Sequence, residues 1–142
     1  MKTAIFVGSF DPFHAGHKSI VDRAARLFDK VVVGVGVNPD KHYMLSTEER
    51  VARTKDALKD TGVYVEAYEG LTIDFARRHN AQYIVKGVRN AEDFTNEKWQ
   101  AEWNKRHGAV ETVLLLAETE LEQLSSSKIR ASVTDNKAQD TL

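Results

Sequence analysis

The chain has 142 residues and a formal net charge of −1, with 42% hydrophobic and 29% charged residues. This length is typical of a single domain, and we expect one domain over residues 1–142. A chain of this length can bury about two-thirds of its unfolded surface, which is enough for an apolar core. The small net charge gives no overall field that would draw the chain onto nucleic acid or a membrane. The chain has no cysteine, which excludes disulfides, and its N-terminal apolar run is too short for a signal peptide, so we predict a cytoplasmic protein.

Short apolar runs alternate with helical patterns along the chain. Strand, helix, strand, five times over, predicts an α/β fold: a Rossmann-like five-stranded parallel sheet with helices on both faces. The first, second and fifth runs are apolar throughout, as expected of strands buried on both faces, whereas the third alternates and is predicted as an edge strand. The predicted strands are 3–7, 30–37, 63–68, 83–87 and 111–116.

Five further segments have the spacing of amphipathic helices. Ser46 and Glu49 have the spacing of a capping box at the start of the second. Trp99 and Trp103 are four residues apart on the fourth, which predicts either a core face or an oligomer surface. The predicted helices are 17–28, 46–58, 72–79, 91–107 and 126–133. The histidines predicted to be simple surface residues are His42, His79 and His107.

Cationic side chains follow several of the predicted strands. Ligands of parallel sheets bind outside the carboxyl ends of the strands, near the point where the strand order switches. A cationic rim at this edge, on a chain with little net charge, suits a small anion such as a nucleotide. The cations predicted to gather there are Lys41, Lys86, Arg89, Lys128 and Arg130.

The stretch "GSFDPFHAGH" at 8–17 follows the first strand. Gly8 is predicted to allow a sharp turn, and His14 and His17 face one way if they lie on the first turn of a helix. Such a pair is consistent with helix capping, with a metal site completed by Asp11, or with donors for charge that develops on a phosphate in a transition state. The pair lacks the adjacent carboxylate of a metalloprotease motif, and we favour phosphate donation.

Three serines at 125–127 begin the last predicted helix. The N–H groups at a helix start favour phosphate, and the hydroxyls add donors. Capping by one serine is the simpler interpretation, but the cations Lys128 and Arg130 that follow favour phosphate binding.

These motifs resemble those of a known superfamily. "GSFDPFHAGH" resembles the signature of the H-x-G-H nucleotidyltransferases, and "SSSKIR" at 125–130 resembles their second signature. Within that superfamily the chain is most similar to the bacterial phosphopantetheine adenylyltransferases, and the similarity covers nearly the whole chain in the same order. The further matches are "NPDKHYMLSTEERV" at 38–51, "GLTIDFAR" at 70–77, "KGVRNAEDFTNE" at 86–97 and "LSSSKIR" at 124–130.

The resemblance implies transfer of an adenylyl group from ATP to 4′-phosphopantetheine, which gives dephospho-coenzyme A and pyrophosphate in coenzyme A biosynthesis. It implies magnesium that enters with ATP, no metal ligands from the protein, and a homohexamer. It implies that His17 stabilises the transition state, with Lys41 and Arg89 as further catalytic residues. The implied acceptor contacts are Ser9, Lys41, Thr72 and Lys86. The implied ATP contacts are Ser9, Phe10, His14, His17, Gly87, Val88, Arg89, Glu97, Leu121, Glu122, Gln123, Leu124, Ser125, Ser126 and Ser127.

The chain departs from the family pattern at two places. Lys86 stands where many members carry arginine, so a point charge replaces a bidentate fork. The chain ends at Leu142, where many members continue through another helix.

Three other functions are compatible with part of the pattern. Nicotinamide- or nicotinate-mononucleotide adenylyltransferases share the two signatures, but they are usually longer and lack the pattern at 86–97. Glycerol-phosphate cytidylyltransferases usually carry leucine where Pro12 stands. A nucleotide-binding regulatory module without activity would not need the histidine pair, Lys41 and Arg89.

Overall fold

The computed structural model describes residues 1–118 and 125–132. Five parallel strands form one sheet in the order β3-β2-β1-β4-β5, which confirms the predicted Rossmann-like architecture. The observed bounds of the strands differ from the predicted ones by at most one residue. The strands are β1 (Thr3–Gly8), β2 (Lys30–Val37), β3 (Tyr64–Glu69), β4 (Tyr83–Val88) and β5 (Glu111–Leu116).

Helices follow the strands as the periodicity predicts. Ser46 caps the second helix by accepting the Glu49 N–H at 3.1 Å, as the predicted capping box requires of the serine. None of the helices in the described ranges combines the length and apolar character that a membrane crossing needs. The helices are α1 (Ala15–Leu27), α2 (Thr47–Ala57), α3 (Thr72–Arg78), α4 (Ala91–Gly108) and α5 (126–132).

Apolar side chains cover both faces of the sheet, because successive residues of a buried strand point to opposite sides. On one face the sheet packs against α1 and α2, and on the other against α3 and the edge of α4. Helices on both faces are therefore confirmed. The apolar cluster on the face covered by α1 and α2, which we call the first core, includes Ile20, Val21 and Ala24 of α1. The cluster on the other face, the second core, includes Ile73, Phe75 and Ala76 of α3.

The strand order places β3 and β5 at the two edges of the sheet. The prediction for β3 is confirmed, and Tyr64 on this strand is 53% exposed. The prediction that β5 is buried on both faces is wrong, since 112–115 is only partly buried and Leu116 is 73% exposed. An apolar run shows what a strand can bury, but its position in the sheet decides what it does bury.

The exposure of the tryptophan and histidine side chains differs in part from what their spacing along the chain predicts. Trp103 packs against the second core, whereas Trp99 is 70% exposed, so the two rings do not share one environment. His42 and His107 are exposed, as predicted. The prediction for His79 is wrong: its side chain is 16% exposed, and its Nε2 lies 3.1 Å from Glu66 Oε2, because α3 packs beneath β3.

Candidate active site

The centre of the sheet contains the point where the strand order switches. β1 pairs with β2 on one side and with β4 on the other, and β4 continues to the opposite edge. The loop at 9–14 leaves the carboxyl end of β1, and Arg89 follows β4 directly. A crevice at this point is where parallel sheets of this type bind ligands.

The loop after β1 is shaped by Phe10, which has a left-handed backbone with φ of 48° and is 3% exposed. Gly8 has no positive φ, so the prediction that it supplies the turn is wrong. It is needed for close packing: a Cβ on Gly8 would lie 2.9 Å from Phe10 Cε1. The Phe10 ring meets the His17 ring edge-on, with centroids 4.9 Å apart. Phe10 therefore forms the apolar support of the histidine.

The two histidines form the N-terminal cap of α1. His14 Nδ1 accepts the Gly16 N–H, and His17 Nδ1 accepts the His14 N–H, both at 3.1 Å. A Cβ on Gly16 would lie 2.9 Å from His14 Cε1, which explains the glycine between the histidines. The capping interpretation is confirmed. It also assigns the tautomer, because a neutral ring that accepts at Nδ1 carries its proton on Nε2, where it can donate to a ligand.

Burial keeps both imidazoles neutral. It lowers the pKa of His17 to about 3, with further lowering from His14 and from the charge of Arg89. It lowers the pKa of His14 to about 4, again with help from Arg89. At neutral pH the pair therefore offers N–H donors to an anion without adding charge to the protein.

Arg89 is held in one orientation by Asp93, four residues further along. The guanidinium Nε donates to Asp93 Oδ2 at 2.9 Å and Nη2 donates to Oδ1 at 3.3 Å, while the Asp93 N–H donates to the Asn90 cap at 2.8 Å. The hydrogen bond from Arg89 lowers the pKa of Asp93 and raises that of the arginine. Arg89 therefore presents a fixed charge beside the histidines.

Asp11 is 3% exposed, and both of its carboxylate oxygens are engaged. Oδ2 accepts the Met44 N–H at 2.8 Å and Oδ1 accepts the Leu45 N–H at 2.9 Å. Over residues 1–118 and 125–132, no group of three or more His, Asp or Glu side chains is placed to hold a metal ion. This geometry counts against the metal site that the sequence left open, since its third ligand already serves the backbone.

The serines at the start of α5 lie over the loop after β1. Ser125 Oγ caps α5 by accepting a backbone N–H of that helix at 3.1 Å, which is the simpler of the two predicted roles. Ser126 Oγ donates to the Pro12 carbonyl at 2.8 Å, and Ser127 Oγ accepts from Arg130 Nη2 at 3.0 Å. Of these bonds, the one from Ser126 joins α5 to the loop that leads into the histidines, whereas the other two are local to α5 and its cap.

Two adjoining cavities open at this edge of the sheet, of about 340 and about 290 Å³. Both are lined by Val7, Gly8 and Lys86, so they meet at the end of β1. The larger cavity is lined by these predicted ATP contacts: Phe10, His14, His17, Gly87, Arg89, Glu97, Ser125, Ser126 and Ser127. The smaller cavity is lined by the predicted acceptor contacts Ser9, Lys41, Thr72 and Lys86.

Not every predicted site residue lines the cavity expected of it. Val88 is 6% exposed at the end of β4 and lines neither cavity. Ser9, predicted to contact both substrates, lines only the smaller one. The predicted contacts that lie outside the described residues are Leu121, Glu122, Gln123 and Leu124.

Arg50 is a site residue that the sequence did not reveal. It has no exposed surface, and its Nη1 donates to the carbonyls of Ser9 and Gly36 at 2.8 Å each. Its guanidinium stacks over the Tyr43 ring at 3.7 Å from the centroid. Arg50 therefore joins the ends of β1 and β2 beneath the smaller cavity. The one feature of the sequence that could have indicated its burial is the i,i+4 spacing from Thr54, the other buried polar residue of α2.

The chain is similar to known proteins over most of its length. Residues 5–132 match the family model described as cytidylyltransferase-like. The phosphopantetheine adenylyltransferase of Phocaeicola vulgatus is 45% identical over 131 residues, which span 92% of this chain and 87% of that relative. The phosphopantetheine adenylyltransferase of Bacteroides fragilis is 43% identical over 138 residues, or 96% of this chain and 92% of the relative.

One solved structure with the same fold is the Plasmodium falciparum nicotinic acid mononucleotide adenylyltransferase in complex with NaAD, with a TM-score of 0.68. It is 16% identical and covers 92% of this chain and 83% of its own, so it supports the fold alone. With this fold and site, the match to the family model and the curated relatives make the chain a nucleotidyltransferase. Within that class, the chain belongs to the phosphopantetheine adenylyltransferase family, and the mononucleotide adenylyltransferase alternative is not favoured.

Proposed function

We propose that this chain transfers the adenylyl group of ATP to 4′-phosphopantetheine, forming dephospho-coenzyme A and pyrophosphate in coenzyme A biosynthesis. The observation that carries the proposal is the pair of adjoining cavities with Lys86 between them. A reaction that joins two phosphates needs two anion sites that meet at one point. Family membership supports the choice of acceptor, since the relatives are named for adenylyl transfer to phosphopantetheine.

In the proposed reaction, ATP occupies the larger cavity and the acceptor phosphate lies near Lys41 in the smaller one. A phosphate monoester is largely ionised at pH 7 because its second pKa is about 6, so no general base is required. Its oxygen attacks the α-phosphorus of ATP, and the bond from that phosphorus to the pyrophosphate oxygen breaks. Lys41 and Lys86 offset the repulsion between the two anions, and the cavity walls align them.

His17 is the proposed stabiliser of the transition state. Its ring is fixed by the cap at Nδ1 and by the Phe10 ring, so the Nε2–H donor needs no reorganisation during the reaction. Arg89, oriented by Asp93, is the proposed partner of the ATP phosphates.

The residues of the larger cavity fit a magnesium ion that arrives on ATP. Glu97 Oε2 is buried, accepts no hydrogen bond and lies 3.5 Å from Lys86 Nζ, so this carboxylate can accept from a water on the ion. Glu97 would hold such an ion through a bound water, and the ion would supply positive charge that offsets the charge of the ATP phosphates. The magnesium requirement, the homohexamer and coenzyme A binding stay predictions from the resemblance. The cytoplasmic location stays a prediction from the lack of cysteine and the short N-terminal apolar run.

The test is pyrophosphate release from ATP and magnesium with a choice of acceptors. We expect release with 4′-phosphopantetheine and none with nicotinamide mononucleotide, and the Lys41→Ala variant serves as the control for contaminating enzymes. Release with the mononucleotide alone would overturn the proposal.

A further inference from the structure

Asp11 lines neither cavity, but it is hydrogen-bonded to two segments, one of which lines the smaller cavity and the other the larger. On one side, its carboxylate accepts two consecutive backbone N–H groups, those of Met44 and Leu45, at 2.8 and 2.9 Å. Hydrogen bonds to an ionised oxygen are about twice as strong as neutral ones. The side chain is 3% exposed, so water does not compete for these bonds.

The segment held in this way is the loop between β2 and α2, residues 38–46, which we call the acceptor loop. It carries Lys41, whose Nζ donates to Ser9 Oγ at 3.0 Å, and Tyr43, whose ring lies over Arg50. Lys41 and Tyr43 both line the smaller cavity. The Asp11 carboxylate therefore helps to set the position of the cation that faces the acceptor.

On the other side, the backbone of residues 11–12, in the loop after β1, is bonded to α5. The Asp11 carbonyl accepts from Arg130 Nη1 at 2.6 Å, and the Arg130 guanidinium lies 3.9 Å from Asp11 Oδ2. The next carbonyl, that of Pro12, accepts from Ser126 Oγ at 2.8 Å. α5 also carries the serines that line the larger cavity. The serine wall of the larger cavity is therefore joined to the backbone of residues 11–12 by direct hydrogen bonds from Ser126 and Arg130.

We propose that Asp11 is a positioning residue that couples the two cavities, so that ATP bound against α5 orders the acceptor loop through the Asp11 carboxylate. This inference rests on the proposed function, because it takes ATP as the ligand of the larger cavity. The route is short and consists of α5, residues 11–12 and the N–H groups of the acceptor loop. Coupling of this kind is reciprocal: ATP raises the affinity for the acceptor by the same factor as the acceptor raises the affinity for ATP.

The first test uses the unmodified chain and α,β-methylene-ATP with magnesium, an analogue that cannot transfer its adenylyl group. Hydrogen exchange of the Met44 and Leu45 amides is measured with and without the analogue. We expect exchange of both amides to slow about fivefold or more on binding, the lower end of typical coupling. The Val63 amide, which donates to Thr61 at the opposite end of the sheet, should not change.

The outcomes separate the two proposals. An analogue that binds and leaves the exchange of Met44 and Leu45 unchanged overturns the coupling and not the function. An analogue that does not bind at all overturns the function and the coupling with it.

The second test is Asp11→Asn, which keeps one acceptor oxygen and removes the charge. We expect the affinity for 4′-phosphopantetheine, measured by calorimetry, to fall about tenfold, and the gain in that affinity on adding the analogue to disappear. Asp22→Asn makes the same chemical change at the exposed ion pair with Lys18 and should alter neither value. An Asp11→Asn protein with a lowered melting temperature and an unchanged affinity gain would show a merely structural role. If the variant does not fold, the exchange experiment on the unmodified chain decides.

Discussion

Replacing His17 with asparagine separates its two roles. The Asn side-chain oxygen stands close to the place of the imidazole Nδ1 and can still accept the His14 N–H that caps α1. It has no donor where Nε2–H stood. Glutamine does the opposite, because its amide nitrogen reaches the place of Nε2 but its chain does not return to the cap.

The expected losses differ in size and in kind. Removal of one preorganised donor costs about 10²–10³ in kcat, or about 2.7–4 kcal/mol. Loss of a helix cap costs about 0.5–2 kcal/mol of folding stability. We therefore expect His17→Asn to lower kcat about 10²–10³-fold with little change in melting temperature. ATP affinity should change much less, since Lys86 and Arg89 remain.

The assay is pyrophosphate release at saturating substrates, with calorimetric titration of ATP and thermal unfolding followed by circular dichroism. His17→Gln should lose more stability than His17→Asn and retain more turnover. An asparagine variant with near-normal kcat, or a glutamine variant less active than the asparagine one, would refute the assignment of Nε2–H to the transition state.

Three further predictions follow from the same geometry. Lys41→Ala should weaken binding of the acceptor most and Arg89→Ala binding of ATP most, as calorimetry of each ligand will show; equal losses for both ligands would refute the assignment of the cavities. The pKa values of about 3 for His17 and about 4 for His14 lie below the unfolded value of 6.5. The unfolded chain therefore takes up more protons as the pH falls from 6.5 towards 4, and stability should decline in that window. The melting temperature of His17→Asn should fall less steeply between pH 6.5 and pH 4 than that of the unmodified chain. An unchanged pH dependence would contradict the lowered pKa of His17. After dialysis against EDTA the melting temperature should be unchanged and magnesium alone should restore activity, whereas a need for a transition metal would return the histidine pair to metal binding.

The sequence by itself determined the elements of the sheet and the chemistry of its edge. Runs such as 30–37 are apolar and β-branched, and glycines and helical patterns separate them, so local periodicity was enough to place every strand within one residue. The same local signals placed the histidine pair, the serines and the cations after strands, and parallel strands bring such positions to one edge.

Only the tertiary structure decided which partners these residues have. β5 is as apolar as a central strand, yet the strand order leaves it at an edge. The Asp11 carboxylate is held by Met44 and Leu45, more than thirty positions away, and no spacing along the chain predicts such a contact. Arg50 is fully buried where the carbonyl just after β1, a carbonyl of β2 and an aromatic ring converge on it. Periodicity reports which face of an element is apolar, but a buried charge is stabilised by groups that only the folded chain assembles.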